Sequence, residues 1–275
     1  MKKQAGYADA WLWLTVPVAI LVAIAAACGV FINGLYRDTP SMVAQAIGQD
    51  AITLIVAVPA LVIAAILAAR GSQRARLVWL GVLIYLVYTY AGYAFAVRFN
   101  SLFLVYVAAL GCATYALIGG LVRTDWAALK AGFGEWTPVK ATSIVMVLVA
   151  LLFYLIWLGD AVPSVLAGQP SQTLIETGTP TNFIHVLDMA WVLPALLIAA
   201  VKLWQRQSIG FGLAAALLSF LALLALAILG MAAVMVRAGQ PPVIPLVVIF
   251  VTLLAISLGM LIAHLRNLRP ARAFR

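Results

Sequence analysis

The residues best placed to do chemistry in this chain are His185 and Asp188. Three positions apart on a helix, they project from one face within about a turn of each other. A histidine and a carboxylate at this spacing can supply two ligands to Zn²⁺ or a similar divalent ion, with Asp50, Glu176 or Asp160 completing the set. The same pair can serve as a general base, His185, oriented by Asp188, with Asp50 as a further ligand or proton acceptor. A plainer reading competes with both. Asp50 and Asp188 are expected in early turns of helices, where the helix dipole favours negative charge by about 0.3–1 kcal/mol, and His185 can simply hydrogen-bond a neighbour.

Tyrosines gather nearby in sequence. Tyr85, Tyr88, Gly92 and Phe95 follow a 3-4-3 spacing that makes one helical seam, and Tyr90 and Tyr93 point elsewhere. A packing seam explains the spacing, yet a buried phenol needs a hydrogen-bond partner. With Arg98, Asn100, Glu176 and Asn182, residues Tyr88 and Tyr93 outline an aromatic-lined, polar-tipped cavity that suits a small molecule better than an ion. Thr179-Pro180 reads as the N-cap and first residue of the helix that carries Asn182, His185 and Asp188.

Several cofactor chemistries are not expected. His264, the only other histidine, lies at the opposite membrane edge from His185, so no haem can be held between them across about 30 Å of hydrocarbon. A retinal Schiff base needs a lysine in mid-helix, and Lys202 falls in the last turns of its run. No phosphate-cradling glycine loop, His-Glu-x-x-His or Gly-x-Ser-x-Gly is present. Any cofactor stays unassigned, a divalent metal being the one candidate.

The elements that must position these residues follow from composition. Of 275 residues, 66% are apolar and 9% charged, against roughly 25% charged in a soluble domain. Mean hydropathy is +1.12. Apolar runs separated by breakers give eight helices near 10–33, 51–70, 77–98, 101–123, 142–160, 182–204, 208–236 and 242–265. Each run is continuously apolar, without the alternation of a barrel strand. The expectation is an all-α, polytopic transmembrane bundle forming a single domain over 1–275.

Charge sets the orientation. With both termini inside, all of the 17 Lys and Arg except Arg37, Arg98 and Arg237 fall on inner segments, as the positive-inside rule requires. Asp38, Asp50, Asp160, Glu176 and Asp188 fall outside. The net charge of +9 is scattered between apolar runs, which argues against nucleic acid as a partner. The basic tail Arg266-Asn267-Leu268-Arg269-Pro270-Ala271-Arg272 suits anionic lipid headgroups. Cys28 and Cys112 sit in separate runs and form neither a disulfide framework nor a metal motif. The run after Lys2 and Lys3 is too long for a signal peptide and is expected to remain as the first helix.

The long outer connections, 34–50 and 161–181, recur four helices apart, and each places proline and small polar residues (Asp38-Thr39-Pro40; Gly178-Thr179-Pro180) before a helix with an acid, Asp50 or Asp188. A 4+4 parallel pseudo-repeat follows, a design whose interface often holds a site. Gly48-Gln49-Asp50, Arg70-Gly71-Ser72, the run from Tyr88 to Phe95, and Thr179-Pro180-Thr181-Asn182 through Asp188 resemble an uncharacterised family of bacterial polytopic inner-membrane proteins. The resemblance covers most of the chain and implies a multi-pass protein of the bacterial inner membrane, with no activity attached. The residues themselves point to an outward-facing polar site for a metal or small molecule, in a binding protein or a membrane-embedded enzyme. The alternatives are a transporter of a small neutral or amphipathic solute and a non-catalytic subunit of a homo- or hetero-oligomeric membrane complex.

Overall fold

The computed structural model describes residues 10–241 and 244–269, and among these every extended element is a helix. Lys2, Lys3, Asp9 and the end of the basic tail from Pro270 lie outside the described residues. Eight helices are long and apolar enough to cross a membrane: α1 (Ala10–Phe31), α2 (Pro40–Ala69), α3 (Gln73–Phe95), α4 (Phe103–Arg123), α5 (Val139–Ala167), α6 (Phe183–Trp204), α7 (Ser208–Arg237) and α8 (Ile244–Arg266). Two short helices, Trp126–Ala131 and Gln172–Thr177, lie in the α4–α5 and α5–α6 connections.

Two spans depart furthest from the hydropathy boundaries. α2 begins at Pro40, not near residue 51, because Thr39 caps it, its hydroxyl accepting from the Met42 amide at 3.4 Å, and Pro40 supplies the preset first turn. Residues 40–50 are too mixed in polarity to register as an apolar run. They nevertheless bury Met42, Ala46, Gln49 and Asp50, and the helix packs on α7. Gly48 and Gly230 make this possible, since a Cβ at either would strike the facing backbone or Ile52. α5 continues past residue 160 through Asp160 and Pro163 to a left-handed cap at Gly168, φ 62°.

α2 and α6 share an unusual interior. Each contains one widened π-type turn, Thr53–Ala57 in α2 and Asp188–Val192 in α6, an offset of 135 residues. Pro59 and Pro194 follow at the same offset. A proline lacks an N–H and its ring crowds the carbonyl four residues back, here Ile55 and Ala190, so the preceding turn opens. Both helices end alike: Gly71 N–H bonds Ala68 O at 2.9 Å and Ser72 N–H bonds Leu67 O at 3.0 Å, as Arg206 N–H bonds Leu203 O at 2.8 Å and Gln207 N–H bonds Lys202 O at 2.9 Å. These shared features give the 4+4 repeat a local counterpart.

α7 is the centre of the bundle, packed on α2, α3, α6 and α8, and α3 also meets α2 and α4. The basic end is knit by polar contacts. Arg74 Nε donates to Leu268 O at 2.8 Å, Gly134 N–H to Asn267 O at 2.9 Å, and Arg269 N–H to Gly132 O at 2.9 Å. His264 is fully buried there, its Nε2 3.0 Å from Phe211 O and its ring 4.8 Å from that of Phe133. Residues 124–138 and the end of α8 therefore form one closed layer.

Candidate functional site: an apolar cavity between two acids

In the half of the bundle away from the basic face lies a cavity of about 200 Å³ between α2, α3, α5, α6, α7 and α8. Its walls are aliphatic and aromatic, with Phe153, Phe183, Leu224 and Phe250 prominent, and its polar groups are few: Gln45, Gln49, Tyr88, Thr89, Tyr93, Trp157 and Asp188. Few polar groups on an apolar wall is the usual composition of a small-molecule site.

Gln49 is placed by α2 and held by α3. Its Nε2 donates to Tyr85 Oη at 3.0 Å and to Thr89 Oγ1 at 2.8 Å, while Thr53 Oγ1 lies 2.8 Å from the same Tyr85 hydroxyl. The amide is thus oriented through its nitrogen, and Oε1 is buried with no hydrogen-bond partner. On the α5–α6 side, Trp157 Nε1 donates to Asp188 Oδ2 at 2.9 Å, and Asp188 Oδ1 is likewise buried without a partner. Tyr154 donates to Met189 O at 3.0 Å, satisfying a carbonyl in the widened turn. Two orphaned acceptors beside one apolar cavity carry a desolvation cost of about 1–3 kcal/mol each unless something donates to them.

Asp50 forms a separate site behind the cavity wall. It is 2% exposed, accepts from Tyr36 at Oδ2, and at Oδ1 lies 2.9 Å from the Tyr93 hydroxyl. Tyr93 also lies 3.0 Å from Ala46 O. The Tyr93 and Tyr106 ring centroids are 5.2 Å apart, and Tyr90 and Tyr36 sit 5.7 and 6.1 Å from Tyr93, so the carboxyl occupies a cage of four phenols. Gly29 of α1 closes the cage, because any side chain there would overlap the Asp50 carboxyl and the Tyr36 hydroxyl. Burial, and then repulsion from Asp50 whenever it is ionised, hold the Tyr36 phenol far above its ordinary pKa, so Tyr36 stays protonated.

The expected site residues separate into three groups. Tyr88, Tyr93 and Asp188 line the cavity. His185 and Asp188 share a helix but not a hydrogen bond: the His185 ring lies 4.4 Å from that of Trp157 and its Nδ1 is 3.9 Å from Asp160 Oδ2. The orienting role expected of Asp188 is corrected, since the π-type turn beginning at Asp188 and the intervening Trp157 direct the two side chains to different partners. Asp50 belongs to the tyrosine cage and is in the third turn of its helix, not an early one, because α2 starts at Pro40. Among the described residues no three His, Cys, Asp or Glu approach as a metal-binding set, so the divalent site expected from His185, Asp188 and Asp50 is also corrected.

The remaining candidates are structural. Asn100 closes the turn before α4, its Oδ1 accepting from Leu102 N–H at 2.9 Å. Arg98 is exposed, and its backbone N–H donates to Asp38 Oδ1 at 3.0 Å. Glu176 is exposed on the short helix Gln172–Thr177 and accepts from Gln172 Nε2 at 3.0 Å. Asn182, not Thr179, is the N-cap of α6, accepting from His185 N–H at 3.2 Å. Gln49, Thr89 and Trp157 were not expected. An amide beside Asp50 in a helix that continues as an apolar run was a legible signal for Gln49, but nothing in the sequence places Trp157 against Asp188.

The chain is a multi-pass integral membrane protein by its eight apolar helices. Compared with protein-family models, with curated proteins and with solved structures, it finds no match.

Proposed function

We propose that this protein binds a small amphipathic molecule in the cavity between α2, α3, α5, α6, α7 and α8. The observation that carries the reading is the pair of buried, unpartnered acceptors, Gln49 Oε1 and Asp188 Oδ1, in an otherwise apolar enclosure. Acceptors select a ligand that brings hydrogen-bond donors, and apolar walls select an aliphatic or aromatic body. An alcohol, amide or ammonium head on an apolar tail meets both demands, and a carboxylate meets neither acceptor. The site faces away from the basic end, hence outward in a bacterial inner membrane oriented by the positive-inside rule.

Transport of such a solute is the second reading, favoured by the matching π-type turns and prolines of α2 and α6 on either side of the cavity. It ranks lower because the polar groups toward the basic face are isolated: Ser219 bonds its own helix at Ala215 O, and Thr142, Ser143 and Ser257 have no partners.

The test uses the purified protein and a diazirine-bearing decanol. Photolysis is expected to label peptides containing Gln49, Tyr93 and Leu224, with labelling suppressed by excess decanol and not by decanoate. Gln49→Leu should weaken that labelling. Adducts confined to lipid-facing residues, without competition, would remove the proposal.

A further inference from the structure

At the Asp50 carboxyl the oxygen contacts outnumber the hydrogens of the two phenols that make them. Three are within hydrogen-bond distance: Tyr36 Oη to Asp50 Oδ2, Tyr93 Oη to Asp50 Oδ1 at 2.9 Å, and Tyr93 Oη to Ala46 O at 3.0 Å. Tyr36 and Tyr93 bring one hydrogen each, and a carbonyl or an ionised carboxylate brings none. The count closes when Asp50 contributes the third hydrogen: Oδ1–H donates to Tyr93, Tyr93 donates to Ala46 O, and Tyr36 donates to Oδ2. With a bare carboxylate, the single Tyr93 hydrogen has to be shared between Asp50 Oδ1 and Ala46 O as a three-centre bond.

The surroundings agree with that count. The titratable groups facing the carboxyl are Tyr36 from the α1–α2 connection, Tyr85, Tyr90 and Tyr93 from α3, and Tyr106 from α4, with Cys28 of α1 beyond Tyr106. None is a cation, and among the described residues no ion pair involves Asp50. A lone buried charge without a counter-ion costs several kcal/mol, which a bound proton removes.

We infer that the Asp50 carboxyl is a proton-binding site, loaded in the resting protein and exchanging with the outer face through Tyr36. Tyr36 sits in the connection between spans, 7% exposed, and is the one cage residue outside the helices. Transfer balances without a co-reactant once the carboxyl turns to bring its proton to the oxygen facing Tyr36: the Tyr36 hydroxyl swings outward and releases its proton while taking the one from Asp50, and reloading runs in reverse. This inference is independent of the cavity reading. The cage is closed by Gly29 and packed by phenol rings, and its claim concerns a proton alone.

Infrared spectroscopy of the purified protein, isotopically labelled at aspartate, decides it. At neutral pH the wild type is expected to show an undissociated carboxylic-acid carbonyl band that is missing in Asp50→Asn, shifts in D₂O and fades as the pH is raised. Asparagine is the neutral isostere, its amide donating to Tyr93 as the acid would, so the variant should fold. Tyr93→Phe, which retains Asp50, should move the same band to higher frequency, and this variant decides the matter if Asp50→Asn is lost to misfolding. Absence of the acid band from wild type, with a carboxylate band vanishing in Asp50→Asn, would overturn the site. A band that neither exchanges in D₂O nor titrates would overturn the exchange and leave a locked structural acid.

Discussion

The two halves of the bundle solve one problem in opposite ways. In each, a proline-widened helix carries an acid beside its π-type turn, Asp50 in α2 and Asp188 in α6. In the first half, Gly29 lets α1 close on the acid, α1 also packs on α4, and four phenols seal the carboxyl. In the second, the acid meets the Trp157 indole and neighbours the Tyr88 hydroxyl, and the space beside it stays open as the cavity. At the 135-residue offset Asp50 corresponds to His185 and Thr53 to Asp188, so the repeated backbone carries its acid one helical turn apart in the two halves. A small residue on the facing helix gives a sealed site in which both oxygens of the acid are hydrogen-bonded. A large aromatic one props the helices apart and leaves an acceptor without a partner.

The largest expected effect comes from breaking the sealed half. Gly29→Val drives a branched side chain into the Asp50 carboxyl and the Tyr36 hydroxyl. It combines overpacking with lost buried hydrogen bonds, and should destabilise the protein by about 3 kcal/mol or more. Thermal unfolding in detergent, followed by loss of monodisperse protein, measures it. A wild-type melting curve would mean that the cage is not close-packed.

Alkaline pH probes the same half more gently. Because the folded Tyr36 pKa is raised and the unfolded phenol titrates near 10.0, its contribution is complete below that pH and is lost as the pH rises above it. Stability should fall by about 1.4 kcal/mol per pH unit for this one proton. Tyr36→Phe should show a shallower decline than wild type over the same interval. Parallel curves would show that Tyr36 is not protected in the fold.

In the open half, Trp157→Phe keeps an aromatic ring but removes the indole N–H that donates to Asp188. The loss is expected near 1 kcal/mol, smaller than at Asp50 because a donor in the adjacent cavity can replace the indole. Decanol should therefore stabilise Trp157→Phe more than it stabilises wild type, read as the shift in melting temperature on addition. Equal shifts would separate Asp188 from the cavity. The smallest effect belongs to Glu176→Ala, which touches an exposed short helix and should change stability by less than about 0.5 kcal/mol, with photolabelling unaltered. A loss of labelling there would extend the site to the α5–α6 connection.

Much of the candidate site was legible residue by residue and illegible as an arrangement. Tyr88, Tyr93 and Asp188 were named from polarity within apolar runs, and they line the cavity. Glu176, Asn182, Arg98 and Asn100 share that polarity but serve caps, turns and surface contacts, since polar residues near helix ends have local work to do. The i, i+3 relation of His185 and Asp188 assumed a regular helix. The π-type turn starting at Asp188 and the insertion of Trp157 gave the two residues different neighbours.

The number and order of the eight helices are consequences of sequence alone. Burial in hydrocarbon demands about twenty apolar residues per span, and the cost of moving positive charge across the membrane fixes which ends lie together. Those terms are local and additive along the chain. Which acid is sealed and which is left beside an open cavity was decided by how one helix lies against another, through Gly29 facing Asp50, Gly48 against Gly230, and Trp157 against Asp188. Such contacts depend on shape and rotation between segments far apart in sequence, and no single segment records them.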